Sequence, residues 1–172
     1  MSKVLILSKN DQHHKLETLG SMIVEWTKEL EDVNIDVSHD RNALNRVEEF
    51  DLCIVCFTPS EMEKKEEELL VDLVASGKSL VAVHSATVVN EKNTKYIDLI
   101  GARFKTHSPY HEFQVTIEDR EHTVTKGLDD FKITDELYVL DRIPEGVNIL
   151  ATALWEDKAQ PMVYTKKYGQ GK

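Results

Sequence analysis

The stretch LVAVHSAT, residues 80–87, decides how the chain is read. Leu80, Val81, Ala82 and Val83 form an apolar run without alternation, the pattern of a parallel strand covered by helices on both faces. The run ends at His84, which the reading places at the strand's C-terminal end. Open α/β sheets bind ligands outside those ends, so His84 is either a site residue or a structural histidine satisfied by its neighbours.

Working outward, KVLILS (3–8) reads as a first strand, and HKLETLGSMIVEWTKELED follows with helical spacing. Leu16, Leu19, Ile23, Trp26 and Leu30 recur at threes and fours, which predicts one stripe facing the sheet. VNIDVS (33–38) and DLCIVCF (51–57) supply two further strands. After Pro59, SEMEKKEEELLVDLVASG is acidic at its start and closed by Gly77, as a capped helix is. Strands alternating with helices up to residue 84 imply right-handed crossovers and a doubly wound, mainly parallel sheet with helices on both faces. Past residue 100, EFQVTIED alternates like a strand open on one side, while VNILATALW and PMVYTKKY add two short strands, so the second half is β-richer. No linker or repeat divides the 172 residues, which read as a single α/β domain.

Lys and Arg number 21 against 31 Asp and Glu, a formal charge of −10. That balance disfavours a nucleic-acid partner, which needs many neutralised phosphates. No apolar run approaches the roughly 20 residues of a membrane span, and VLIL is too short for a signal-peptide core, so the expected location is cytoplasmic. The two cysteines, Cys53 and Cys56, have C-x-x-C spacing. On a strand that offset sends the thiols to opposite faces, which predicts packing residues and neither a disulfide nor a shared metal.

The segments SGKSLVAVHSAT, YIDLIGARFKTHSPYHEFQVTIEDREHTVTKGLDDF and TDELYVL, in that order and spacing, resemble the ThuA-like trehalose-utilisation family. The resemblance runs from about Asp51 to Tyr168 and implies a class I glutamine amidotransferase-like, flavodoxin-like fold. It implies catabolism of trehalose or related disaccharides, with a sugar or keto-sugar as substrate. It does not fix a reaction type. The amidotransferase relatives carry a nucleophilic cysteine in the elbow after the strand equivalent to SLVAV, where this chain has His84 and Ser85, so ordinary glutamine amidotransferase activity is not expected. The family continues past YGQGK into another strand, which this sequence lacks. The expectation is an edge strand over residues 161–172 with unpaired backbone, and an open edge invites pairing with a second copy of the chain.

The candidate site follows from these segments. THSPYHEF places His107 and His111 four residues apart across a turn containing Pro109. With His84 they make a set that can bind zinc or another divalent metal, Glu112 or water completing it, or can equally bind a sugar. TDELYVLD contributes Asp135, Glu136 and Tyr138. Glu136 is the expected carboxylate partner of His84 in acid/base work, and Asp135 and Tyr138 are expected ligand contacts. His13 and His14 occupy the loop after the first strand, which opens onto the same edge, and His13 joins the ligand-binding set. Ser85 stands where a nucleophile would, but the flanking glycines of a nucleophile elbow are missing; it is expected to contact ligand or to cap the next helix. The rival to an enzyme is a non-catalytic binding or interaction module, because this fold hosts many functions.

Overall fold

The computed structural model describes residues 1–172. The chain divides into two compact units, one of Met1–Ile100 with Tyr168–Lys172 and one of Gly101–Lys167.

The first unit is built on β1 (Ser2–Ser8), β2 (Val33–Ser38), β3 (Leu52–Cys56) and β4 (Ser79–Ala82), ordered β2-β1-β3-β4 and parallel throughout. The four strands lie where the apolar runs predict them. Alternation sorts their side chains onto two faces. Leu5, Leu7, Cys53 and Val55 enter a core with Leu70 and Val74 of helix α2 (Lys64–Ala75) and with Leu44 and Val47 of the 3-10 segment Arg41–Glu49. Helix α1 (Leu16–Thr27) covers the other face. Its approach depends on Gly20, where an added Cβ would lie 2.4 Å from Ser8 Oγ. Helix α2 starts in a capping box of Glu63 and Glu66, and Gly77, at φ +107°, follows its end. Cys53 and Cys56 are unbridged and buried; burial pushes their thiols up to about 12 and about 11.

Two expectations are corrected in this unit. The stripe through Trp26 and Leu30 is not buried, for Trp26 is 66% and Leu30 55% exposed. Close contact at Gly20 fixes the helix's inner line through Leu16 and Gly20, and Leu30 falls beyond the helix end at Thr27. The run at Leu80–Val83 is not covered on both faces either, because β4 is an edge strand and its Val81 is 44% exposed. Leu80 does pack on the core.

The tail returns to the first unit. Leu80 donates its amide to the Lys172 carbonyl at 3.0 Å and Gln170 donates to Ala75 at 3.1 Å. A Cβ on Gly171 would sit 2.1 Å from the Lys78 carbonyl oxygen, so this contact requires glycine. The expected unpaired tail is therefore not observed over Tyr168–Lys172, while residues 161–166 do lie in an edge strand.

The second unit is antiparallel. Strands β6 (His111–Ile117), β7 (Phe131–Asp135), β9 (Val147–Trp155) and β10 (Lys158–Lys166) are ordered β10-β9-β6-β7, and β5 (Phe104–His107) pairs with β8 (Tyr138–Leu140). Val115, Ile117 and Ala151 form its small core, against which Phe113 and Met162 pack. β9 coincides with the expected strand VNILATALW, and β10 starts three residues before and ends two residues before the expected PMVYTKKY. No helix of the protein is long and apolar enough to cross a membrane.

Candidate functional site

In the first unit the loops after β1, β3 and β4 meet at the C-terminal edge of the parallel sheet. β4 ends at Ala82, and the chain turns into a short 3-10 segment, His84–Thr87. His84 sits in that turn at φ +53°. Left-handed backbone at a residue with a Cβ costs about 1–2 kcal/mol and persists only where neighbours hold it. The imidazole of His14, from the loop after β1, stands against His84 edge-on-face, with ring centroids 4.9 Å apart and planes at 82°.

Asp11 organises this edge. Its carboxylate accepts the backbone amides of His13 and His14 at 2.7 and 2.8 Å. It also lies 2.9 Å from His14 Nδ1. A carboxylate only accepts, so His14 Nδ1 carries a proton. Burial raises the Asp11 carboxyl, but donation from Thr58, His14 and the two amides outweighs it and holds the group well below the ordinary aspartate range. Thr58 donates to Asp11 and lies 2.9 Å from Ser85 Oγ. A hydroxyl has one proton, so once Asp11 takes that of Thr58, Ser85 supplies the proton of the second bond. Ser85 is fully buried and does not cap a helix. Its hydroxyl is therefore committed to Thr58, which corrects the expectation that Ser85 caps the following helix and leaves it a structural anchor of the turn. His13 is exposed and bonded to Gln12. A cleft of about 660 Å³ opens beside this edge between the loops after β3 and before α3 (Thr94–Ile100), lined by Glu61, Met62, Glu67, Asn90 and Asn93; His84 does not line it.

In the second unit, Ser108–Tyr110 form the turn between β5 and β6, with His107 and His111 on either side. His107 Nδ1 lies 2.8 Å from the Ser108 carbonyl and His111 Nδ1 2.8 Å from that of Pro109, so both rings carry their proton on Nδ1. Ser108 is buried; its hydroxyl accepts the Leu137 amide at 2.9 Å and donates to Pro109, tying this turn to the segment that bears Glu136. Glu136 stands 3.8 Å from His107. Asp135 is paired with His111 in the β6–β7 register and accepts the Glu136 amide. Tyr138 packs against Phe104 at 4.5 Å, and His111 against Trp155 at 5.3 Å. The result is a surface of rings and carboxylates.

No three His, Cys, Asp or Glu side chains of either unit gather into a group that could hold a metal ion. Of the expected divalent-metal set, His84 lies in the first unit and His107 and His111 lie in the second. Sequence reading missed Asp11, Thr58 and Ser108. A signal existed for the first two, since both fall within three residues of the C-terminal end of a parallel strand, as His84 does.

A parallel sheet with helices on both faces and a strained elbow after its last strand defines a protein of the class I amidotransferase fold, with histidine at the elbow. The sequence matches the model of the family ThuA, trehalose utilisation, over residues 3–172, and the chain belongs to that family. Among solved structures it is similar to a ThuA-like protein from Parabacteroides merdae, with TM-score 0.82, 16% identity and 98% of this chain on 76% of that one. A ThuA-like protein from Bacteroides uniformis gives TM-score 0.78, 20% identity and 96% on 78%. A glutamine amidotransferase from Thermotoga maritima gives 0.63, 13% and 97% on 72%. At these identities the likeness is one of fold. No curated protein matches the chain.

Proposed function

We propose that this ThuA-family chain binds and transforms trehalose, a related disaccharide or a keto derivative of one, in the cytoplasm, with His84 as the acid/base. The observation that carries this reading is the left-handed backbone at His84, held beside the Asp11–His14 pair at the edge where such sheets bind ligands. An imidazole exchanges protons near neutral pH, and a sugar hydroxyl or the carbon beside a keto group offers a proton to exchange. Ser85 does not serve as nucleophile in this scheme, because its hydroxyl is buried. Taken by itself, the second unit's surface of His107, His111, Asp135, Glu136 and Tyr138 is proposed as a sugar-binding surface, since ring faces and carboxylates suit a polyhydroxylated molecule.

Thermal-shift measurements against trehalose, other disaccharides and their keto derivatives test the proposal. A ligand that binds the native state raises Tm by mass action, by about 2.7 kcal/mol of stability at a hundred times Kd. The expected result is a shift in the native protein that His84→Ala abolishes. No shift with any sugar, or an undiminished shift in His84→Ala, overturns it. A shift without turnover of the bound sugar would support the binding-module reading instead.

A further inference from the structure

Five side chains from three separate loops are joined at the sheet edge, and neither the resemblance nor the family match assigns a role to three of them. We propose that Asp11, His14 and Thr58 are positioning residues: Asp11 fixes the His14 ring edge-on to His84, and Thr58, bridging Asp11 to Ser85, pins the turn that carries His84. The inference rests on His84 being the working imidazole.

The chain of contacts has a definite direction. The Asp11 carboxylate accepts four donors, namely the His13 and His14 amides, His14 Nδ1–H and the Thr58 hydroxyl. An ionised carboxylate has acceptor capacity for about that many, so its orientation is fully determined. His14 is in turn held at two points, its amide and its ring, both on one carboxylate. Because His14 contacts His84 ring to ring, any tilt of the first imidazole displaces the second. On the other side Ser85, next in sequence to His84, is fixed through its buried hydroxyl to Thr58. The turn is closed by the Ala86 amide on the Val83 carbonyl and the Val88 amide on the Ser85 carbonyl. A left-handed His84 therefore has supports on its ring and on its backbone, and both run back to Asp11. Of the two, only the ring support changes a proton's position. An isolated neutral imidazole favours its proton on Nε2, and the carboxylate enforces the opposite form at His14.

Long-range ¹H–¹⁵N correlation spectra of the uniformly labelled full chain, recorded without ligand at mildly alkaline pH, read this directly. The expected native spectrum shows His14 in the Nδ1–H form. Asp11→Ala converts His14 to the Nε2–H form and moves the His84 ring resonances. Thr58→Val also moves the His84 signals, and Thr58→Ser, which keeps the hydroxyl, restores them. His14 in the Nε2–H form in the native protein overturns the proposal, and that measurement needs no variant to fold. Unchanged His84 signals in folded Asp11→Ala or Thr58→Val overturn it as well. Because no sugar is present, failure here leaves the sugar proposal standing, and failure of the thermal-shift test leaves these spectra unaffected.

Discussion

In the parallel-sheet unit His14 meets the Asp11 carboxylate at 2.9 Å, whereas in the antiparallel unit His107 and His111 each give their Nδ1 proton to a backbone carbonyl at 2.8 Å. Both arrangements fix a tautomer. Only the first sets the ring against a full negative charge, because a carbonyl contributes a dipole and the nearest carboxylate to His107, Glu136, is 3.8 Å away and about half exposed. The difference has a structural origin. Loops after parallel strands converge from several points of the chain on one edge, so a carboxylate and two imidazoles can be assembled there. A hairpin turn offers its histidines mainly their own neighbouring carbonyls.

The same contrast governs stability, and its largest test is in the cores. Leu5 is fully buried between the sheet and α2, so Leu5→Ala should cost about 2–5 kcal/mol in urea denaturation. Ile133 in β7 is 37% exposed, and Ile133→Ala should cost less than about 1 kcal/mol. Equal losses at the two positions would break the comparison.

Gly20 comes next. A methyl group there meets Ser8 Oγ and Cβ at 2.4 and 2.7 Å, inside any contact distance, so α1 must lift from β1. Gly20→Ala should destabilise by about 1–3 kcal/mol despite alanine's better helix propensity. Stabilisation measured by the same denaturation would mean that Ser8 turns away, and that glycine does not set the helix's inner line.

These positions also mark what the sequence made legible. β1 and β3 are interior strands, so their apolar runs read correctly to within a residue or two. β4 carries the same kind of run, yet it is an edge. The apolar pattern reports side-chain character, and the number of neighbours a strand has is a property of topology. The rotation of α1 was misread because Trp26 and Leu30 weigh more in a hydrophobic stripe than a glycine does, while the closest approach is made by the residue without a side chain. At the site, His84 was legible from its place after an apolar run. Asp11 and Thr58 were less so: each also follows a parallel strand, but an aspartate and a threonine in loops are common and acquire full meaning only when folding brings residues 11, 58 and 85 together.

The hydrogen-bond chain predicts the next smaller effect. Thr58→Val keeps the shape of the side chain and leaves the buried Ser85 hydroxyl without its partner, at a cost of about 1–3 kcal/mol. Thr58→Ser should lie within about 1 kcal/mol of the native protein. Glu136→Gln, which alters an exposed pair in the other unit, should change stability by less than about 0.5 kcal/mol. A Glu136 effect larger than that of Thr58→Val would reverse the ranking of the two histidine clusters.

A further small effect is in acid, and its sign follows from Asp11. Hydrogen bonds hold the folded carboxyl below its value in the unfolded chain, which is about 4. Between those two values the unfolded state binds the extra proton, so stability is complete above about pH 4 and is lost as the pH falls toward the lower folded value. The side chain is 28% exposed and solvent screens it, which limits the loss to less than about 1 kcal/mol. Asp11→Asn removes the titrating group while keeping an acceptor oxygen for the His13 and His14 amides. Its unfolding free energy should therefore fall less steeply than that of the native protein between about pH 4 and pH 2. Parallel curves for the two proteins would show that the carboxylate is not preferentially ionised in the fold, and the charge that distinguishes the Asp11–His14 pair from the carbonyl-bound histidines would be gone.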